Sequence, residues 1–423
     1  MAIPKKGYTK ASIGGPETNK GVAVARTARL PITAMAYVQE TPTKTPNEII
    51  TGRNSTNGYS VDAIEYACEL STAMGANKAF AMLLDSCLGR SAASVQVGAG
   101  VGVAYVGEAK SCKLVVGASD IKAYAGAYGK ETLDSSFGTN GTLALTGTVE
   151  ALVSAINGCP SYNAYVIAGD GSAPAAAAVP VGASQAKNHG VPVWFTSADS
   201  GVYLHSFKPN STNTENPTYT VQFDGVGRNE VGPGAMVDSA TFSGDLKAKM
   251  AATWSLVLLG LENAVAETTT QMGDAEMESM KFSEGSTYIE GKRLCYIKNI
   301  SLTVSNNVSS DDGWCQGSLK KKEHVRGAFA VTGSATLTLT DETQEQVDAV
   351  MSNVVTSLQA VHTGRILSGV LKSMVLFDIS TMQYTSYSKS AGDATVDLSL
   401  ELEAVDGMAY DDFFQVQMLS DFQ

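Results

Sequence analysis

The sequence predicts an α+β fold that is mainly β, built as two tandem units with a small α/β domain inserted into the first. Three observations carry this. In residues 327–341, Phe329, Val331, Gly333, Ala335, Leu337 and Leu339 alternate with Ala330, Thr332, Ser334, Thr336, Thr338 and Thr340, the period-two signature of a half-buried antiparallel strand. Directly afterwards Val347, Val350, Met351, Val354 and Leu358 fall at helical spacing. The same succession of strand, long loop, strand and helix occurs earlier in the chain, and a repeat of this kind decides the architecture.

Residues 1–29 are rich in Gly, Lys and Thr and read as an N-terminal arm without an apolar leader core. The first unit, residues 30–91, opens on a strand through Leu30 and Ile32 to Val38, followed by a polar loop over 40–57. Ile64, Tyr66, Cys68 and Leu70 then alternate, and Phe80, Leu83, Leu84 and Cys87 mark a helix closed by Gly89.

Residues 92–216 differ in composition, being rich in Ala and Gly and poor in charge, and read as a separate domain looped out of the first unit. Strands are expected at 114–116, 165–168 and 191–195, with a helix through Val149, Leu152 and Ile156. Gly98, Gly100, Gly102 and Gly107 lack the spacing of a dinucleotide-binding turn and read as a flexible hinge. Gly169 to Ser172 lacks the spacing of a nucleophile turn and reads as a loop.

The first unit resumes over 217–263 with a strand through Tyr219, Val221 and Phe223 and a hairpin loop marked by Gly225, Gly227, Gly232 and Gly234. Gly244-Asp245 then opens a strand with Leu246, Ala248, Met250, Ala252, Trp254, Leu256 and Leu258 on one face. A connector, 264–292, is expected to hold a short helix whose Met272, Met277 and Met280 serve packing.

In the second unit, 293–423, a strand through Ile300, Leu302 and Val304 ends at Asn306-Asn307. A polar loop over 307–323 leads to the alternating strand, and Asp341 with Gln344 reads as a capping box for the helix. A strand lies within 366–379. Gly392-Asp393 opens another with Ala394, Val396, Leu398, Leu400, Leu402 and Ala404, in phase with the Gly244-Asp245 strand.

Composition removes several classes of function. Thirty Lys and Arg against forty-two Asp and Glu give a net charge of −12, the wrong sign for gripping nucleic acid through phosphates. Apolar runs stay well short of the roughly 20 residues of a spanning helix, so no membrane anchor is expected. The six cysteines, Cys68, Cys87, Cys112, Cys159, Cys295 and Cys315, are widely spaced and read as reduced thiols, with no metal site or cofactor expected. His189, His205, His324 and His362 each sit in a loop-like context without a nucleophile nearby and read as surface or capping residues. No catalytic residue is assigned, and the chain is not expected to be an enzyme.

Ile300-Ser-Leu-Thr-Val-Ser-Asn-Asn-Val308, the polar loop, the strand over 325–339 with its Thr332-Gly333-Ser334 step and the following helix resemble the tail tube proteins of long-tailed (siphovirus-type) bacteriophages, in a duplicated form. The resemblance covers residues 30–88, 218–259 and 295–405. It implies six β-units closed around a channel, so two units per chain give a trimeric, pseudo-hexameric ring. Stacked rings would form the conduit for DNA ejection, enclosing a tape-measure protein and meeting tail-end proteins, while duplex DNA passes without stable binding. The chain would belong to the virion tail and be assembled in the host cytoplasm.

Under the same resemblance, the loops over 40–57 and 307–323 reach the adjacent ring, the second through Asp311, Asp312, Trp314, Lys320, Lys321 and Lys322. The candidate lumen lining is Lys247, Lys249 and Thr253 from the first unit with Asp397, Glu401 and Glu403 from the second, a lining of alternating sign. The insertion is expected on the outer wall, as an excisable decoration. Thr/Ser-rich strands and Asn-X-Ser/Thr triplets at Asn54, Asn140, Asn210, Asn299 and Asn307 suggest the competing reading, a bacterial surface or secreted adhesin.

Overall fold

The computed structural model describes residues 8–34, 38–46, 59–90, 93–198, 200–209, 216–225, 229–265, 278–352, 354–391, 395–405 and 413–423. The chain is mainly β with few helices. Its first elements are β1 (Tyr8–Gly14), β2 (Ala28–Leu30), β3 (Val38–Pro46), β4 (Tyr59–Ala73) and α1 (Lys78–Leu88). Asn77 caps α1 by accepting the Phe80 N–H on its side chain at 2.9 Å. Gly89 closes it at φ 88°, donating its N–H to the Asp85 carbonyl at 2.8 Å, a conformation that a side chain would disfavour.

Part of the expected polar loop is strand, because β3 pairs with β4 from Val38 opposite Cys68 to Pro46 opposite Tyr59. Its residues 39–45 are exposed, so an edge strand of this kind carries no apolar alternation to read. Residues 47–58 lie outside the described residues.

The inserted segment holds β5 (Val95–Tyr105), β6 (Ser111–Val116), β7 (Asp120–Gly126), β8 (Thr132–Leu133), β9 (Thr142–Ala144), α2 (Val149–Asn157), β10 (Tyr162–Ala168), β11 (Val181–Gln185), β12 (Val191–Thr196) and β13 (Tyr203–Phe207). Gly98, Gly100 and Gly102 are not a hinge but lie in β5, paired on its two sides by β10 and β12, while Gly107 follows the strand. A Cβ on Gly100 would stand 2.5 Å from the Trp194 ring, and one on Gly102 2.6 Å from the Tyr165 ring. These glycines leave room for aromatic rings on neighbouring strands.

Next come β14 (Tyr219–Gly225), β15 (Asn229–Asp245), β16 (Ala251–Leu258) and β17 (Glu262–Asn263). Gly244-Asp245 ends β15 and does not open β16. The apolar alternation at Leu246 and Ala248 runs across a turn, where Leu246 is 56% exposed. Gly232 and Gly234 lie within β15, and Gly227 is outside the described residues.

The rest of the chain forms β18 (Gly285–Ile289), β19 (Lys292–Leu294), β20 (Ile297–Ser305), β21 (Ala330–Thr338), α3 (Asp341–Ser352), β22 (Thr356–Ser368), β23 (Leu371–Ala391), β24 (Val396–Ala404) and β25 (Phe414–Ser420). Of the expected connector helix, Met272 and Met277 lie outside the described residues. Met280 is buried and bonded to two neighbouring backbone segments, donating to Met74 at 2.9 Å and accepting from Met250 at 2.8 Å, and only a single 3-10 turn, Phe282–Glu284, follows.

The capping box of α3 falls one residue early, with the Thr340 N–H donating to Thr343 Oγ1 and the Thr343 N–H donating to Thr340 Oγ1. Leu358 belongs to β22, not the helix. The 366–379 stretch spans a hairpin turning at Gly369, φ 56°. Gly392-Asp393 is outside the described residues.

One antiparallel wall runs through the molecule in the order β3, β4, β16, β15, β20, β21, β24, β23. Its first four strands and its last four follow the same order relative to the chain. Each group also has a helix after its second strand, and a hairpin partner for its fourth, β14 on β15 and β22 on β23. The β15–β20 pairing joins the groups, and beneath it Phe242 meets Trp254 at 5.4 Å and Phe377 at 4.8 Å between ring centroids. A single apolar cluster therefore extends from Leu70 and Phe80 to Leu400 and Phe414.

Candidate functional site

Period two gives the wall one apolar face, which is buried, and one polar face. Register places Ser71, Thr253, Thr241, Thr303, Thr332 and Glu403 side by side across six strands. A parallel row contains Ala251, Ser243, Ser301, Ser334, Glu401 and Ser386. The Thr241 and Thr303 hydroxyls hydrogen-bond at 3.0 Å across the joining pair. Neither row contains Lys or Arg, so the two rows offer small neutral residues and carboxylates and no cation for a phosphate.

Of the candidate lining residues, the structure brings Thr253, Asp397, Glu401 and Glu403 onto this face, with Asp397 opposite Thr338 and 2.5 Å from Lys298 Nζ. Lys247 and Lys249 lie elsewhere, in the β15–β16 turn, where Lys247 adopts φ 68° and the Lys249 backbone forms an isolated antiparallel β-bridge with that of Lys281.

The loop between β20 and β21 is internally bonded. Ser309 Oγ donates to Asp312 Oδ2 at 2.7 Å, and Trp314 Nε1 donates to the Ser310 carbonyl at 3.0 Å. The loop also lies against β4: the Ile64 N–H donates to the Leu319 carbonyl at 2.8 Å, and Lys320 Nζ sits 5.5 Å from the Tyr66 ring centroid. Lys321 Nζ donates to the Ser309 carbonyl at 2.8 Å, approaches Glu65 at 3.4 Å and lies over Trp314. Two of the three lysines thus face their own chain, while Asp311, Asp312 and Lys322 remain exposed.

All four histidines are buried, contrary to the surface or capping role expected for them. Loop-like sequence did not reveal that strands or their connections carry them into the interior. His189 Nε2 lies 3.1 Å from the Asp378 carboxylate, His205 Nε2 2.8 Å from Ser420 Oγ, and His324 Nε2 donates to the Gly234 carbonyl at 2.7 Å. Burial pushes His205, His324 and His362 down to about 4, so each is neutral at pH 7. The six thiols are unpaired, with Cys295 and Cys315 exposed and the others buried.

Sequence reasoning missed the contacts that fix the insertion. Trp194 Nε1 donates to Gln417 Oε1 at 2.7 Å and Tyr165 OH to Gln359 Oε1 at 2.6 Å. β13 pairs with β25, and Val97, Trp194 and Leu204 share an apolar cluster with Met374, Leu376 and Leu419. The clue available was the isolated Trp in an apolar strand, which needs a polar partner when buried.

The chain matches the family model described as phage tail tube protein over residues 10–404, and it belongs to that family. It is a structural component of the virion tail. No curated protein matches the chain significantly.

Proposed function

We propose that three copies of the chain close into a pseudo-hexameric ring and that rings stack into the tube through which DNA leaves the virion. One observation carries this: the same four-strand order occurs twice, joined by β15–β20, and leaves β3 at one end of the wall and part of β23 at the other without a second strand partner among the described residues. An open wall with two exposed edges invites uncontrolled pairing, whereas closure into a barrel removes the edges. A head-to-tail contact between unlike edges is the kind that generates a ring.

In this reading the hydroxyl and carboxylate face lines the channel, and duplex DNA passes without stable binding. The insertion packs onto β22, β23 and β25, by way of the face of those strands turned away from the main apolar cluster, which supports its placement on the outer wall. The Asp311–Lys322 loop contacts the adjacent ring, a tape-measure protein fills the channel before ejection, and tail-end proteins cap the stack. Assembly takes place in the host cytoplasm, and the role is structural, without catalysis. Negative-stain microscopy with sedimentation of the purified full chain tests this: rings of three chains are expected, and rings of six chains or a persistent monomer reject it.

A further inference from the structure

The join inside the chain supplies a template for the join between chains. β15 is bulged between Val237 and Ser239, with Ser239 opposite Ser255 of β16, and β23 is bulged between Tyr384 and Ser386, with Ser386 opposite Glu401 of β24. Superposing the bulges makes Ala240 equivalent to Tyr387, Thr241 to Ser388 and Phe242 to Lys389. Continuing across the wall, Ser255 faces Glu69 and Glu401 faces Ser334, so Glu69 is equivalent to Ser334 and Ala67 to Thr332. Their partners Gln39 and Thr303 are then equivalent, as are Glu40 and Val304, and Val38 and Leu302.

Within the chain Thr241 stands opposite Thr303, Ala240 opposite Val304 and Phe242 opposite Leu302. From Gln383 to Ala391, β23 pairs only with β24 among the described residues, and β3 pairs only with β4. We propose that this segment of β23 pairs antiparallel with β3 of a second copy of the chain, Ser388 opposite Gln39, Tyr387 opposite Glu40 and Lys389 opposite Val38, so that Lys389 and Glu40 form a charged latch at the seam. This rests on the ring reading above and assigns its contact.

The two seams of the ring then differ in chemistry. Under the internal seam Ala240, Phe242, Leu302 and Val304 are all buried and apolar. Under the seam between chains the equivalent places hold Tyr387, Lys389, Val38 and Glu40, and Lys389 is diagonal to Glu40, within reach for long side chains of opposite charge. In the single chain Lys389 and Glu40 are exposed, which keeps both edges soluble and discourages pairing in other registers. Pro42, which lacks an N–H, ends the new ladder after Thr41.

The test uses the full chain with Cys295→Ser and Cys315→Ser, so that exposed thiols do not compete. In this background Gln39→Cys with Ser388→Cys is expected to give disulfide-linked chains closing to a covalent trimer on oxidation. Gln39→Cys with Ser386→Cys or with Ser390→Cys is displaced by about 6.8 Å along the strand and is expected not to link. Lys389→Glu and Glu40→Lys are each expected to lose rings with an unchanged far-UV CD spectrum, and the two together to regain them. Rings that link through a displaced pair, or a double variant that stays dissociated, overturn this pairing while leaving the ring intact. A parent chain that sediments only as a monomer overturns the ring itself and the pairing with it.

Discussion

Asn306 Nδ2 donates to the Cys87 carbonyl at 2.8 Å, so a residue at the end of β20 closes the last turn of α1 in the other half of the wall. The same amide donates to the Val237 carbonyl at 2.8 Å, and its oxygen accepts from Arg326 Nη2 at 2.9 Å. Asn216 meets the Cys87 carbonyl from another direction at 2.7 Å and accepts from Arg326 Nη1 at 2.9 Å. The guanidinium adds positive charge near a helix C-terminus, where the macrodipole favours it.

Asn306→Ala is therefore expected to destabilise the chain by about 2–4 kcal/mol, since it removes two donors to buried carbonyls and one acceptor of a charged donor. Urea unfolding should show a lower midpoint.

Stability is expected to fall as pH drops from about 6.5 toward about 4. His205, His324 and His362 are held down to about 4 by burial, below the ordinary histidine value of about 6.5. Between those values the unfolded chain binds more protons than the folded one, so acidification favours unfolding. Above about 6.5 the contribution is constant. Asp85, whose carboxyl burial pushes up, acts in the opposite sense in the carboxylate range, so the histidine effect is best read above about pH 5. His362, with neither ring nitrogen hydrogen-bonded among the described residues and Phe282 and Phe377 nearby, is the cleanest probe. Melting curves of His362→Leu should be flatter with pH than those of the parent.

Replacing residues 92–216 with a Gly-Ser linker is expected to cost folding, although the sequence suggested a separable domain. Excision leaves Gln359 and Gln417 without Tyr165 and Trp194, takes His189 from Asp378, and uncovers Met374, Leu376 and Leu419. A soluble, cooperatively melting product would refute this. Trp194→Ala tests the same contact more gently, with an expected loss of about 3–5 kcal/mol.

Reversing the exposed loop charges, Asp311→Lys with Asp312→Lys, is expected to leave rings intact and shorten or abolish tubes, because both residues are exposed and the β4 contact that holds the loop is made by Leu319, Lys320 and Lys321. Tube length by microscopy is the measurement, and normal length counts against a stacking role.

Legibility followed burial. β20 and β21 were readable because each buries one face, so Leu302, Val304, Val331 and Leu337 stand out at period two. β3 was not, because only Val38 contacts the core and the following residues face water. β5 was misjudged because its glycines accommodate rings from Trp194 and Tyr165, contacts that come from distant sequence. Alternation also misled at Leu246, where it continued through a turn. On the candidate site, Thr253, Asp397, Glu401 and Glu403 were identifiable as strand residues of one phase, but the position of Lys247 depended on where β16 begins.

The contact between Phe242 and Phe377 has a mechanical meaning. Because one apolar cluster passes beneath both halves of the wall, the halves cannot hinge apart without opening that cluster. If the chains close into the proposed ring, each would therefore behave as a stiff stave, and strain on the wall would concentrate on the partly polar seams between staves rather than within them.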